Sequence, residues 1–172
     1  MRSDDDLRGA EAHFIQEKNT PMNTSQPTQN VRRAWRSFAQ MGYLVVAILF
    51  VLCVLLQVFL AGVSIFVSPS WWEIHKRFGE SFGSLTILLL LLSIAMRPKR
   101  SIIWLTALLV VLYSLQYVFI ELPGRLGVPL LSALHPVNAL VIFWLAVTLG
   151  RSVIRQRGRR GETGGEGVTR SS

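Results

Sequence analysis

Charge is scarce in this chain of 172 residues: 16% are charged, against 51% that are apolar. A soluble domain carries about 25% charge, so a soluble enzyme is nearly excluded. Cysteine is scarcer still. Cys53 stands alone inside an apolar run, which excludes an intrachain disulfide, and no Cys/His spacing resembles a zinc site. It reads as a small buried hydrophobe. The first 30 residues hold no apolar stretch, so no cleavable signal peptide is expected and the first apolar run acts as an uncleaved anchor. Enzyme signatures are missing too: there is no Gly-x-Ser-x-Gly, Walker A, His-Glu-x-x-His or paired-carboxylate constellation. No catalytic residue and no metal site is assigned.

What the chain does have is long apolar runs. Four candidate spans cover about residues 41–67, 78–96, 102–120 and 130–150. At 1.5 Å per residue each crosses roughly 30 Å of hydrocarbon. Short connections make successive spans antiparallel neighbours. The expected fold is therefore all-α: a four-transmembrane-helix up-down bundle over residues 35–150, with disordered tails at 1–34 and 151–172. Asp4, Asp5 and Asp6 in the first tail read as solvated carboxylates. Glycines at 158, 161, 164, 165 and 167 loosen the second.

Charge is also uneven along the chain. The net charge of +8 comes from residues 35–150 and 151–172, at +4 each, while residues 1–34 are neutral. Eleven basic residues flank one side of the spans (Arg32, Arg33, Arg36; Arg97, Lys99, Arg100; then Arg151 to Arg160) and three the other (Lys76, Arg77, Arg125). The positive-inside rule then places both termini in the cytoplasm of a cell with this protein in its plasma membrane. Trp35 and Trp104 fall at the inner interface, and Trp71 and Trp72 at the outer one. The Arg-rich tail lacks interleaved aromatics, which argues against nucleic acid. The expected partners are the lipid bilayer and either another membrane protein or a second copy of the chain.

Polar residues inside the spans are the best candidates for function, because each costs free energy unless partnered. Gln57, Gln116 and Asn138 form an expected intramembrane network, with Tyr113 and Tyr117 beside Gln116. His75 and His135 both start near the outer face. His75, Gly79 and Gly83 share a stripe on the second helix, and Cys53, Gln57, Ala61, Ser64 and Ser68 share one on the first. These stripes are either plain helix interfaces or room for a flat cofactor. Pro136 forces a break at His135, so that histidine either caps free backbone groups or ligates. Glu80, four residues after Lys76, is expected to pair with it.

Gln57-Val58-Phe59-Leu60-Ala61-Gly62, Trp72-Glu73-Ile74-His75-Lys76, Leu115-Gln116 and above all Leu134-His135-Pro136-Val137-Asn138-Ala139-Leu140 resemble a prokaryotic family of four-helix membrane proteins of unknown function. The resemblance covers roughly residues 38–150 and implies architecture, not activity. Where such proteins carry a further histidine in helix two, this chain reads Glu80-Ser81-Phe82-Gly83, against a multi-haem arrangement. Three readings stay open. The first is a non-enzymatic membrane module or subunit. The second is a b-type haem protein of membrane electron transfer, with His75 and His135 as ligands. The third is a small permease or proton path.

Overall fold

The structure, a computed structural model, describes residues 26–165, with side chains from 29 to 158. The disorder expected for residues 1–34 and 151–172 gives way to helix at 26–34 and 151–165, which extend the first and last spans; residues 1–25 and 166–172 lie outside the described residues. The chain divides into two units, Met1–Ala34 and Trp35–Ser172. In the first, residues 26–34 are helical. The four-helix body belongs to the second.

Its elements are α1 (Gln26–Phe66), α2 (Trp71–Phe82), α3 (Ser84–Met96), α4 (Arg100–Arg125), a 3-10 turn (Pro129–Ala133) and α5 (Leu134–Gly165). There is no strand among the described residues, so the all-α expectation holds. Taken as four rods, Gln29–Phe66, Trp71–Met96, Arg100–Arg125 and Pro129–Gly158 are each long and apolar enough to cross a membrane. Helices are what such a sequence must form there, since only they satisfy every backbone group within one segment.

Local chemistry sets the ends. Gly83 keeps helical dihedrals (φ −56°, ψ −34°), so α2 and α3 form one rod with a break in its hydrogen bonding. α3 stops where Arg97 turns left-handed (φ 44°) and Pro98 cannot continue it. Pro123 falls inside α4 rather than ending it. So near the C-terminus it forfeits little of the ladder. The stop comes at Gly127 (φ 71°), where a side chain would be strained, and the Val128 N–H bonds back to the Pro123 carbonyl at 2.9 Å. The break expected at His135 is a change from 3-10 to α at Leu134. Pro136 then sits in the first turn of α5, where no intrahelical donor is needed.

Cross-helix pairs fix the packing. Antiparallel α1 and the α2–α3 rod bring Gln57 to His75 and Phe50 to Phe82. α1 and α4 run parallel with one offset of 63 residues, shared by Tyr43–Thr106 and Phe50–Tyr113. Tyr43, Phe50, Leu89, Leu109, Ile142 and Leu149 are fully buried between the helices. Leu52, Phe59, Leu91, Trp104 and Trp144 face outward. An apolar outer surface on this scale suits lipid, not water.

Candidate functional site

The end of the bundle that carries His75 encloses a cavity of about 480 Å³. All four rods line it, mostly with aliphatic and aromatic side chains. Its floor is an aromatic triangle of Phe50, Phe82 and Tyr113, with ring centroids 5.4–5.9 Å apart. Edge-to-face contacts at this spacing suit aromatic quadrupoles and leave little freedom beneath the cavity.

Polar groups enter from each rod. His75 from α2 is buried, and its ring centroid lies 6.4 Å from that of His135 on α5. His75 Nδ1 is 3.1 Å from the backbone carbonyl of Gln57, and His135 Nδ1 is 3.3 Å from that of Gln116. A carbonyl oxygen can only accept, so Nδ1 carries the proton in both rings. Each Nε2 therefore keeps its lone pair. That tautomer, with the far nitrogen donating to a carbonyl, is the one that ligating histidines adopt.

The Gln57 amide fixes His75 further. Its Nε2 donates to the His75 carbonyl at 2.8 Å and lies 3.2 Å from His75 Nε2. The reverse amide orientation would set two carbonyl oxygens against each other, so this one is required. Gln57 Oε1 is then left buried with no hydrogen-bond partner. Such an orphan acceptor costs roughly 1–3 kcal/mol. On the opposite wall Asn138 donates to the Leu112 carbonyl at 2.8 Å and to Gln116 Oε1 at 3.0 Å. The five residues singled out by the sequence thus meet at one end as two networks, Gln57–His75 and Gln116–Asn138–His135.

The glycine stripe serves a different purpose from the one a flat cofactor needs. A Cβ on Gly79 would lie 2.9 Å from Gln57 Nε2, and one on Gly83 would lie 2.8 Å from the Tyr113 ring. Their space is used by those two side chains, and the Tyr113 hydroxyl donates to the Gly79 carbonyl. The cavity lies alongside, where Ala61 and Gly79 form part of the wall and Gly83 does not.

Around the mouth, the expected Lys76–Glu80 pair gives way to another. Lys76 Nζ binds Glu73 at 3.0 Å and Arg77 Nε donates to the same carboxylate at 2.8 Å. A glutamate placed before its basic partners has the better orientation on a helix, so Glu73 takes both. Glu80 instead lines the cavity, as does Glu121. The spacing of Glu121, four residues after Tyr117 on the cavity-facing side of α4, was the signal that would have found it. Among the described residues no cluster of three or more His, Cys, Asp or Glu side chains could hold a bare metal ion.

Over residues 57–122 the chain is similar to a family of unknown function (DUF6220). That stretch runs from Gln57 through α4 and includes His75 and Gln116, but not His135 or Asn138. No curated protein matches the chain, and no solved structure does.

Proposed function

We propose that the chain is a non-enzymatic, multi-pass module of the plasma membrane, with both termini cytoplasmic, that holds one haem b between His75 and His135. One observation carries the haem assignment: two imidazoles from different rods reach one mostly apolar cavity, each with Nδ1–H spent on a backbone carbonyl, so that each Nε2 is an unprotonated nitrogen, that of His75 covered by the Gln57 amide. His75 and His135, with ring centroids 6.4 Å apart, would be the residues to hold the haem. Apolar walls with a few convergent polar groups and a volume of this size are typical of cofactor sites. The two histidines would hold an iron porphyrin in a mostly apolar wall that also carries Lys76, Glu80 and Glu121, and the group would supply one-electron transfer.

The residues divide the work. His75 and His135 are the ligands, and the carbonyls of Gln57 and Gln116 hold their tautomers. Asn138 locks Gln116 in place. The Gln57 amide now resting on His75 Nε2 has to swing away for ligation. A permease or proton path has less support, because the buried polar side chains farther along the bundle are spent locally: the Thr86 and Ser93 hydroxyls donate to the Gly83 and Leu90 carbonyls of their own rod. Beyond the aromatic floor the Tyr43 hydroxyl is paired with Thr106, whose own hydroxyl donates to the Ile102 carbonyl.

The test is the spectrum of detergent-purified protein from haem-replete cells. A Soret band and a sharp reduced α band are expected, with both lost in His75→Ala and in His135→Ala. A colourless protein that also leaves added haemin unshifted would overturn the assignment. Placement is tested separately with reporters. Fusions at Gly165 and Lys99 are expected to read cytoplasm and one at Trp71 the exterior, and an external reading at Gly165 would reject the four-span topology.

A further inference from the structure

A second cavity, of about 460 Å³, opens at the opposite end, between the start of α4 and the last described turns of α5. Lys99, Ser101, Ile102 and Leu105 form one wall, and Ser152, Arg155 and Gln156 the other. We infer that this cavity binds the phosphate of an anionic lipid headgroup. The inference rests on the membrane placement argued above but not on haem.

Charge is the first argument. Lys99 approaches the cavity from the loop that caps α4 and Arg155 from α5, and neither is in an ion pair among the described residues. The carboxylates with described side chains, Glu73, Glu80 and Glu121, are all on the α2 and late-α4 side, at the far end of the bundle. Nothing described at this end can neutralise the pair. Arg97, Arg100 and Arg151, exposed nearby in the chain, strengthen the same field. The occupant that fits is an anion, and Gln156 and Ser101 add neutral hydrogen-bond donors for its oxygens.

Depth is the second argument and selects a lipid over a soluble anion. Trp104, 73% exposed, projects outward within the first turns of α4. An outward tryptophan at a helix end marks the headgroup level of a bilayer. The cavity's inner wall changes to apolar at Ile102 and Leu105, which matches the step from phosphate to acyl chain. Basic pockets between helices on the cytoplasmic side are where anionic headgroups bind.

The experiment uses the full chain in nanodiscs of mixed phosphatidylglycerol and phosphatidylcholine, followed by native mass spectrometry of the released protein. The wild type is expected to retain phosphatidylglycerol in preference to phosphatidylcholine. Lys99→Gln/Arg155→Gln should lower that preference about tenfold, as loss of two charge-assisted contacts implies. Arg36→Gln/Arg157→Gln removes equal charge outside the cavity and should lower it less than about twofold. Equal losses in the two double variants would mean diffuse attraction and overturn the site. Displacement of the lipid by 10 mM (about millimolar-scale) inorganic phosphate would assign the cavity to a soluble anion and overturn the lipid. Failure of the chain to enter nanodiscs would reject the membrane placement itself, and this inference with it. A colourless protein would touch only the haem assignment.

Discussion

Around Tyr43, Met96, Thr106, Leu149 and Val153 the bundle is sealed: all five are almost wholly buried, and the Tyr43 hydroxyl meets Thr106 at 3.0 Å. Around His75 and His135 the same four rods part to enclose a cavity, and one buried acceptor, Gln57 Oε1, has no partner. The two halves share helices and differ in what their side chains do. The first pairs its buried polar groups and fills its interior, opening only at the rim between Lys99 and Arg155. The second holds donor and acceptor atoms in reserve around a space. Stability is concentrated in one half so that the other can remain unfilled, the usual relation between a rigid scaffold and a site built on it.

Truncations can break that contrast. Leu149→Ala, at 1% exposure in the sealed half, should cost about 2–5 kcal/mol through the cavity it leaves. Leu140→Ala, 68% exposed on the wall of the existing cavity, should cost less than about 1 kcal/mol. Chemical unfolding in mixed micelles measures both, and equal costs would erase the distinction. Next in size is Gly83→Ala, whose new methyl would press on the Tyr113 ring from 2.8 Å. Overpacking of this kind costs roughly 1–3 kcal/mol. The double variant Gly83→Ala/Tyr113→Leu should recover much of it. No recovery would mean that Gly83 is needed for the helix itself.

Smaller again is Asn138→Leu. It removes two hydrogen bonds that tie α5 to α4, at about 0.6–1.7 kcal/mol, the range for single polar contacts between membrane helices. It should also free Gln116 and so disturb His135 more than His75, which the ring proton resonances of the two histidines would separate. Least of all is Lys76→Gln. The Lys76–Glu73 pair is more than half exposed on both sides, so its loss should fall below about 0.5 kcal/mol. A larger effect would mean that Lys76 contributes to the cavity beyond its ion pair.

Much of this was legible in the sequence, for reasons that particular residues make plain. Apolar runs bounded by Arg97-Pro98-Lys99-Arg100 and by Arg151 give four helices whatever their packing, because length and hydropathy alone decide it. Helical phase and depth brought His75, His135, Gln57, Gln116 and Asn138 to one end. Phase could not tell that Gly79 and Gly83 admit Gln57 and Tyr113 rather than leaving a slot, since that depends on which rotamers a facing helix adopts. Nor could spacing choose between Glu73 and Glu80 for Lys76, because both are within one helical turn. The Lys99–Arg155 cavity was hidden for another reason. Its two cations are far apart in sequence and were counted only as topology signals.

Only three residues, Arg97, Pro98 and Lys99, separate α3 from α4. A loop that short cannot let one helix wait while the other is threaded, so for a chain entering a bilayer α3 and α4 arrive together as a hairpin. The left-handed Arg97 makes that reversal with local geometry, its N–H bonded to the Ile94 carbonyl three residues back. Biogenesis then gains an order: α1 must idle until the hairpin delivers Thr106 to Tyr43 and the α2 segment to Gln57. His135, which follows the last loop, is the later of the cavity's two histidines to be made.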